Sequence, residues 1–329
     1  MNSLNASTFR VKPPLPFNKL KNHNRTKELL KKTVIIIAGP TAVGKTNLAI
    51  DVAKFFSTSI ISADSRQCYK ELNIAVAKPT ADQLGTTPHY FINTHSIQDH
   101  ITAVGYEKYA LQSVNEVFEK NDLAVMVGGT GLYIKAFCDG LDEIPLVPLE
   151  TRNRIKELYN ENGIDWLIKE LEREDPLYAS GGEMQNPQRM MRALEVKIVS
   201  GNSIMHFQTN QKAIRDFNII KIALEIPREE LNNNINIRVD AMVAAGLVKE
   251  AEALIPFKSL NSLQTVGYQE LFDFFDKKNS LPDSISQIKQ HTRNYAKRQM
   301  TWFKKDNLFH WFTPHSNQII PFIEKQLVK

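Results

Sequence analysis

The segment GPTAVGKT at residues 39–46 decides the fold of this chain. Its members are Gly39, Pro40, Thr41, Ala42, Val43, Gly44, Lys45 and Thr46. An uncharged, β-branched run at residues 34–38 precedes it and predicts a buried strand of a parallel sheet. Apolar residues at helical spacing follow it, and these are Leu48, Ala49, Val52, Ala53 and Phe56. A strand, a glycine-rich turn and a helix N-terminus in this order bind phosphate groups through backbone N–H groups. Lys45 would add a positive charge and Thr46 a hydroxyl ligand for magnesium, so the segment predicts a polyphosphate site but not the reaction.

The composition of the chain is that of a globular protein. Of its 329 residues, 42% are hydrophobic and 23% are charged. No apolar run approaches the roughly 20 residues that a membrane span requires. The two cysteines, Cys68 and Cys138, form no C-x-x-C pair, so neither a disulfide framework nor a structural zinc site is indicated. We therefore expect a cytoplasmic protein without membrane contact, and a monomer, since no long heptad pattern is present.

The charge of the chain is unevenly distributed. The net charge of +5 favours a polyanionic partner. Residues 1–32 form a basic extension with Glu28 as its only acid. Its lysines and arginines are Arg10, Lys12, Lys19, Lys21, Arg25, Lys27, Lys31 and Lys32. We interpret this extension as a disordered tail or as the product of a misassigned start codon. The alternative is an organelle transit peptide, although serine richness and an amphipathic repeat are lacking.

Further short strands are predicted at residues 59–63, 123–127 and 219–226, and they alternate with helical patterns. The alternation predicts an α/β fold with a doubly wound parallel sheet that binds its ligand at the carboxyl ends of the strands. Charged helical segments without a strand pattern then indicate an inserted helical subdomain. The predicted organisation is a core at 33–144 and 207–314 with C-terminal helices, an insertion at 145–206 and a tail at 315–329.

Asp64 follows the second predicted strand, within the sequence SADSRQCY. At that position a carboxylate can face the phosphate loop across the sheet. Three roles remain open: holding magnesium through water, accepting a proton from a nucleophile, or capping the next helix. Lys78, in AKP, is predicted to be solvated unless its loop folds back on the phosphates.

A second glycine-rich loop, GGTGLY at residues 128–133, follows the next strand. Its glycines predict a close approach of the backbone to a ligand, or a tight chain reversal. In the insertion, NPQRMMR places Arg189 and Arg192 on one helical face, which suits phosphates or bases but also occurs in solvated surface pairs. Near the C-terminus, HTRNYAKRQMTWFKK interleaves basic residues with Tyr295 and Trp302, so the sequence indicates either base stacking or an ordinary core stripe.

Taken in order and spacing, GPTAVGKT, SADSRQCY, AKP, GGTGLY, NPQR and RNYAKRQMTWF resemble the motifs of the bacterial tRNA dimethylallyltransferases over about residues 33–312. The resemblance implies a P-loop NTPase-like core. It implies transfer of a dimethylallyl group from dimethylallyl diphosphate to the exocyclic amine of the adenosine just 3′ of the anticodon of a tRNA. Mg²⁺ would neutralise the diphosphate leaving group, with Thr46 as its protein ligand.

The resemblance also implies roles for individual residues. The phosphate loop and Arg238 would bind the diphosphate of the donor. Asp64 and Thr130 would be catalytic, with Asp64 accepting the proton of the adenine amine as the carbon–nitrogen bond forms. The flipped base and its neighbours would be contacted by Asp64, Ser65, Arg66, Gln67, Thr130, Arg152, Gln188, Arg189, Met190, Met191 and Arg192.

The chain departs from this family at two points. Ala75 and Val76 precede AKP where the family usually has Gly-Thr, which removes a hydroxyl and a flexible backbone position. The zinc finger of eukaryotic relatives is absent, which favours a bacterial-type enzyme. The alternatives are an adenylate isopentenyltransferase that makes a free cytokinin, an RNA-stimulated P-loop ATPase and a small-molecule kinase.

Overall fold

A parallel sheet of six strands carries the phosphate loop. The structure is a computed structural model, which describes residues 31–209 and 211–328. The sheet has the order β3-β2-β4-β1-β5-β6, and each neighbouring pair is parallel. Its strands are β1 (Thr33–Ala38), β2 (Ile60–Ser62), β3 (His89–Tyr90), β4 (Leu123–Gly128), β5 (Asn218–Leu224) and β6 (His310–Phe312). The predicted α/β fold with a parallel sheet is confirmed.

The described residues also form twelve α-helices. They are α1 (Lys45–Phe55), α2 (Ala81–Thr86), α3 (Ala103–Phe118), α4 (Gly131–Asp139), α5 (Leu149–Glu174), α6 (Pro176–Gly181), α7 (Pro187–Ser200), α8 (Arg228–Ala244), α9 (Leu247–Ala253), α10 (Gln269–Phe275), α11 (Leu281–Phe303) and α12 (Ile319–Leu327). Short 3₁₀ turns occupy Ile204–Phe207, Ile255–Phe257 and Asn261–Leu263. In the part of the chain that is described, no helix combines the length and the apolar character needed to cross a membrane.

Strand β1 lies at the centre of the sheet and is buried on both faces. Ile35 and Ile37 belong to one apolar core, which also contains residues of α1 and α12. Val34 and Ile36 belong to a second core on the opposite face, with residues of α3 and α4. Burial on both faces explains why this strand is a continuous apolar run rather than an alternating one.

Two short edge strands were missed by the sequence pattern. Strand β3 has two residues and β6 has three, and each pairs with only one neighbour. Such lengths are below what an alternating or β-branched pattern can reveal. The strands predicted at 59–63, 123–127 and 219–226 are found as β2, β4 and β5.

The described residues form two compact units. One runs to Cys138 and resumes at Arg215, and it contains the sheet. The other spans Asp139–Ile214 and contains helices α5, α6 and α7 around a core of its own. Helix α5 is broken at Gly163, whose φ of 73° is not helical. The predicted insertion at 145–206 lies within this helical unit, which extends further at both ends.

The segment at 315–329, interpreted from sequence as a tail, contains helix α12. Ile319 and Ile323 of this helix are buried in the core that also includes β1 and α1. The tail interpretation is therefore wrong for the described part of this segment, because an amphipathic helix there covers one face of the sheet. The basic extension predicted at 1–32 lies outside the described residues up to residue 30.

Candidate functional site

The phosphate loop turns sharply between β1 and α1. Gly39 has a φ of 144°, and a Cβ atom there would lie 2.9 Å from the carbonyl oxygen of Leu224. Gly44 has a φ of 96° and is the N-cap residue of α1. Ala42 also adopts a positive φ, of 65°. The loop is thus held in a backbone conformation that directs the N-terminus of α1 into the site, as anion binding requires.

The amide groups of the loop are not all available to a ligand. Pro40 has no N–H, and its carbonyl accepts a hydrogen bond of 2.6 Å from Nζ of Lys45. The N–H of Thr41 donates to Oε1 of Gln299 at 2.9 Å. The sequence assigned the whole segment to diphosphate binding, but Pro40 and Thr41 offer no available N–H in the structure.

Two cations converge on this loop. Nη1 of Arg238, from α8, donates to the hydroxyl of Thr41 at 3.2 Å. Burial, and then the charge of Arg238, lower the pKa of Lys45 to about 7, while the charge of Asp64 acts in the opposite direction. Lys45 and Arg238 bring two positive charges to the loop, whereas Asp64 is the one carboxylate named as acting on Lys45. A bound polyanion would compensate the remaining positive charge.

We expect anion binding to take up a proton at Lys45. Below pH 7 this lysine is charged in the free protein, and above pH 7 it is largely neutral. A bound diphosphate favours the charged form, so the affinity should fall as the pH rises from 7 to 9. Calorimetry with inorganic diphosphate in buffers of different ionisation enthalpy measures the proton uptake.

The matched control for this experiment is Lys45→Met, which removes the titrating group and keeps the side-chain length. At pH 8 the unaltered protein should take up about one proton more per diphosphate than the variant, and at pH 6 the difference should shrink. Equal uptake by both proteins at pH 8 would mean that Lys45 is already charged before the anion binds.

Asp64 lies at the carboxyl end of β2, beside the phosphate loop. Its Oδ1 accepts hydrogen bonds from the backbone N–H groups of Arg66, at 2.8 Å, and Gln67, at 3.3 Å. The N–H of Ser65 donates to Oγ1 of Thr130 at 3.0 Å, which joins the loop after β2 to the loop after β4. The structure therefore brings Asp64 and Thr130 together. One oxygen of Asp64 stabilises the turn at residues 65–68, and no helix begins there, so the helix-capping alternative is not realised.

Tyr295 completes this group from helix α11. Its hydroxyl lies near the side chain of Thr130, and burial is the main cause that raises the pKa of this phenol to about 12. The guanidinium of Arg298 lies 5.8 Å from the centre of the Tyr295 ring. Tyr295 is thus a neutral hydrogen-bonding group next to the two predicted catalytic residues.

A cavity of about 340 Å³ lies between Thr41 of the phosphate loop, the segment that begins at Asp64, and helices α8 and α11. Its polar wall includes Thr41, Asp64, Ser65, Arg66, Arg238, Tyr295 and Arg298. Its apolar wall includes Val239, Met242, Leu247, Val266 and Ile288. The cavity can therefore hold a molecule with an anionic group at one end and a small hydrocarbon group at the other.

The glycines of the second glycine-rich loop accommodate protein rather than ligand atoms. A Cβ at Gly128 would lie 2.2 Å from the carbonyl oxygen of Ala63, and one at Gly129 would lie 2.2 Å from Nε2 of Gln299. A Cβ at Gly131 would lie 2.2 Å from the indole of Trp302. The backbone of this loop therefore closely approaches Ala63, which follows β2, and the side chains of Gln299 and Trp302 on α11. These three glycines thus affect the site through the packing of the loop.

Gly128→Ala should destabilise the protein by about 1–3 kcal/mol, because the added methyl group would collide with backbone that cannot move freely. Gly85→Ala is the matched control, since a Cβ at Gly85 meets nothing within 4 Å. The control should change the unfolding free energy by less than about 1 kcal/mol. Denaturant unfolding monitored by circular dichroism measures both values, and equal values for the two variants would contradict this account of the loop.

Two charged side chains support the wall of the cavity. Lys78, predicted to be solvated, donates to the carbonyl of Tyr69 at 2.5 Å and to Oδ1 of Asn93 at 2.5 Å. Glu250 accepts hydrogen bonds from the N–H of Ile74 at 2.8 Å and of Ala75 at 3.1 Å. Both side chains therefore hold the loop that contains the Ala75–Val76 departure.

Gln67 also belongs to this support. Its Nε2 donates to the carbonyls of Val76, at 3.2 Å, and Ala77, at 3.1 Å. The sequence assigned Gln67 to RNA contact, but its side-chain amide is engaged within the protein. The backbone of Ala75 and Val76 is thus hydrogen-bonded by the side chains of Glu250 and Gln67, because the side chains of residues 75 and 76 have no polar group.

The arginines of the helical unit are arranged around one carboxylate. Arg192 lies 3.2 Å and Arg152 lies 3.7 Å from Oε2 of Glu195. Arg189 is exposed and lies 3.7 Å from Glu183. Gln188, next to it, is also exposed. Two guanidinium groups for one carboxylate leave an excess positive charge, which suits a phosphate-rich ligand.

Two methionines in the same helix were also assigned to RNA contact. The side chain of Met190 is fully buried in the core of the helical unit, so this assignment is corrected: the residue packs instead of contacting a ligand. Met191 is partly buried against the same core. The helical period explains the difference, because the interior face of α7 passes through position 190.

A basic groove runs along the exposed face of α11. It has a volume of about 370 Å³ and is lined by Asn294, Lys297, Arg298, Thr301, Trp302 and Lys305. Trp302 is 39% exposed, so its ring both covers Gly131 and lines the groove. The sequence offered base stacking and core packing as alternatives for this aromatic residue, and its position is intermediate between them.

The site fits a metal ion that arrives with its ligand. Among the described residues there is no cluster of three or more His, Cys, Asp or Glu side chains that could hold a metal. Thr46 offers a hydroxyl in the first turn of α1, and Asp64 a carboxylate beside the loop. Mg²⁺ commonly binds through one or two protein ligands together with phosphate oxygens and water, which is the donor set that this site provides.

Comparison with known protein sequences gives one consistent result. The model of the IPP transferase family matches residues 67–306. The chain is 47% identical over 296 residues to a tRNA dimethylallyltransferase of Christiangramia forsetii, and the match covers 89% of this chain and 98% of that protein. It is 43% identical over 295 residues to tRNA dimethylallyltransferase 1 of Bacteroides thetaiotaomicron, covering 89% and 96%.

Solved structures agree with the sequences. The chain resembles a tRNA isopentenylpyrophosphate transferase from Bacillus halodurans with a TM-score of 0.67 and 32% identity, covering 91% of this chain and 97% of that chain. A eukaryotic dimethylallyltransferase acting on tRNA has a TM-score of 0.71 at 24% identity, covering 90% and 78%. This second likeness concerns the fold.

Proposed function

The chain belongs to the IPP transferase family, and from this premise we propose that it moves a dimethylallyl group from dimethylallyl diphosphate to a tRNA. The acceptor is the exocyclic amine of the adenosine 3′ of the anticodon, and the products are N6-(dimethylallyl)adenosine and diphosphate. One observation carries the proposal: Thr41 of the phosphate loop, the carboxylate of Asp64 and an apolar wall line a single cavity.

The donor is assigned to the part of the cavity next to α1. Its diphosphate would accept hydrogen bonds from the amides at 42–46 and would be paired with Lys45 and Arg238. Its five-carbon group would pack against the apolar wall that includes Val239, Met242 and Ile288. A site with this division selects an amphipathic diphosphate over a fully polar nucleotide.

The acceptor is assigned to the side of the cavity lined by Asp64 and Ser65, next to Thr130. As the amine nitrogen forms a bond to the first carbon of the dimethylallyl group, the bond from that carbon to the diphosphate oxygen breaks. The electron pair leaves with the diphosphate, and the proton of the amine passes to Asp64, which acts as general base. The hydroxyl of Thr130, held by the N–H of Ser65 and lying near Tyr295, would orient the amine.

A divalent metal is part of the chemistry of this family, and we propose Mg²⁺. Thr46 would hold it together with oxygens of the diphosphate. Once bound, Mg²⁺ would supply positive charge against the departing diphosphate. Lys45 and Arg238 add charge from this chain to the same leaving group.

The RNA is assigned to two basic surfaces. One is the arginine group of the helical unit, with Arg152, Arg189 and Arg192, and the neighbouring Gln188. The other is the groove of α11. Both are rich in guanidinium and ammonium groups, and the exposed indole of Trp302 adds a surface on which a base can stack.

We also propose that the enzyme acts as a monomer in the cytoplasm. The support for a reducing compartment is that Cys68 and Cys138, the two cysteines of the chain, form no disulfide. Sedimentation equilibrium of the purified protein measures the molecular mass in solution, and a dimer mass would contradict the monomer.

The decisive experiment incubates the protein and Mg²⁺ with dimethylallyl diphosphate and, separately, with an anticodon stem-loop or AMP. Mass spectrometry then reads each acceptor. A gain of one C₅H₈ unit by the RNA alone is the expected result. A gain by AMP alone would make the protein a cytokinin synthase, and ATP hydrolysis without any mass gain would indicate an RNA-dependent ATPase.

A further inference from the structure

Gln299 joins the two loops on which the proposed reaction depends. It lies on α11 and is only 6% exposed. Its Oε1 accepts from the N–H of Thr41 at 2.9 Å, and its Nε2 donates to the carbonyl of Gly129 at 2.9 Å. Thr41 follows β1 and Gly129 follows β4, and these strands are neighbours in the sheet. One buried amide therefore spans the gap between the donor loop and the loop that carries Thr130.

The neighbours of Gln299 on the same face of α11 contact the same loop. Tyr295, one turn earlier, lies near the side chain of Thr130. Trp302, almost one turn later, covers Gly131. Tyr295, Gln299 and Trp302 are spaced four and three residues apart and therefore lie on one face of α11. This face packs against the three consecutive loop residues 129 to 131 and fixes their position.

The two residues that the Gln299 amide binds, Thr41 and Gly129, each adjoin a residue of the proposed mechanism. At one end, the hydroxyl of Thr41 receives the hydrogen bond of Arg238, which is assigned to the diphosphate. At the other end, Gly129 precedes Thr130, which holds the N–H of Ser65 next to Asp64. We infer that Gln299 is a positioning residue that sets the separation between the donor diphosphate and the general base. This inference rests on the proposed function.

The chemistry of the side chain supports this role. Only an amide offers an acceptor and a donor at the same distance from the backbone, and both are used here. Glutamate at 299 would keep the acceptor for Thr41, but when ionised it would lose the donor for Gly129 and would place a negative charge near the diphosphate. Methionine has a similar length and offers neither strong bond. Because a misplacement of about 1 Å can cost about 10²-fold in rate, a lost bridge should appear in turnover.

The test compares Gln299→Met and Gln299→Glu with the unaltered enzyme. Single-turnover rates are measured with saturating dimethylallyl diphosphate and stem-loop RNA, beside the Kd of each substrate and the Tm. We expect Gln299→Met to lower the rate by about 10²-fold while the RNA affinity changes by less than about threefold. Gln299→Glu should lose rate similarly and also bind the donor more weakly. Gln290→Met, at an exposed position on the same helix, is the control and should keep the full rate.

A double-mutant cycle separates positioning from plain structural support. If Gln299 acts by placing Asp64 relative to the donor, Gln299→Met should cost much less in an Asp64→Asn background than in the unaltered enzyme. Equal losses in both backgrounds would overturn the inference, as would a lowered Tm with an unchanged rate for the folded fraction. Should Gln299→Met fail to fold, Gln299→Glu retains one of the two hydrogen bonds and carries the same cycle.

The outcome for the unaltered enzyme distinguishes this inference from its premise. An enzyme that adds no C₅H₈ unit to the RNA would refute the proposed function, and the role of Gln299 with it. An active enzyme whose rate is insensitive to both substitutions at Gln299 would leave the function intact and refute the positioning role alone.

Discussion

Asp64→Asn should lower turnover by about 10²- to 10⁴-fold, the usual contribution of a general base. The substitution is chosen because the amide oxygen of asparagine can still accept the hydrogen bonds that Arg66 and Gln67 donate to Oδ1. The fold of the loop is therefore kept while the proton acceptor is lost. Single-turnover rates at saturating donor and RNA measure the effect on the chemical step.

The same variant decides between the two roles of this carboxylate. If Asp64 served only to stabilise the turn that follows it, Asp64→Asn would change neither the rate nor the Tm. The amide oxygen of asparagine accepts the same hydrogen bonds in such a turn. Asp64→Ala serves as the comparison, because it removes both functions and should lower the Tm as well as the rate. A full rate for Asp64→Asn would remove Asp64 from the mechanism.

Arg238→Ala should weaken the binding of dimethylallyl diphosphate by roughly 10- to 100-fold, the scale of a hydrogen bond to a charged group. Arg238 is partly buried, and its guanidinium already donates to the hydroxyl of Thr41. Its loss removes a charge from the diphosphate site and a support from the loop. Calorimetric titration with the donor measures the change, and the RNA affinity should stay within about threefold.

Two further variants make the result specific to the site. Arg228→Ala removes an exposed arginine from the first turn of the same helix α8, and it should leave donor affinity unchanged. Arg238→Lys keeps the charge but loses the planar fork, so its donor affinity should be intermediate. If Arg228→Ala and Arg238→Ala weakened donor binding equally, the effect would be one of net charge and the diphosphate would have to be placed elsewhere.

The central part of the fold was accessible from local sequence patterns. A buried parallel strand, its loop and the following helix each have a signature within a few residues, so β1, the phosphate loop and α1 were predicted where the structure has them. Asp64 was accessible for the same reason, since it directly follows an apolar run. In both cases the residues that define the element are adjacent in the chain.

Contacts between distant segments were not accessible in this way. Gln299 and Thr41 are 258 positions apart, and no periodicity links them. The glycines of the second loop signalled a close approach, but only the structure shows that Ala63, Gln299 and Trp302 are the partners. Met190 was misassigned because a motif gives the order of residues, whereas the orientation of α7 decides which of them faces the core.

The position of β1 in the sheet bears on the order in which the site forms during translation. The first of the described strands stands inside the sheet, yet its loop is held by Gln299 from α11, and its face is covered by α12. A ribosome must therefore make the chain through α11 before the hydrogen bond between Thr41 and Gln299 can form. A nascent chain that stops short of α11 lacks this part of the donor site.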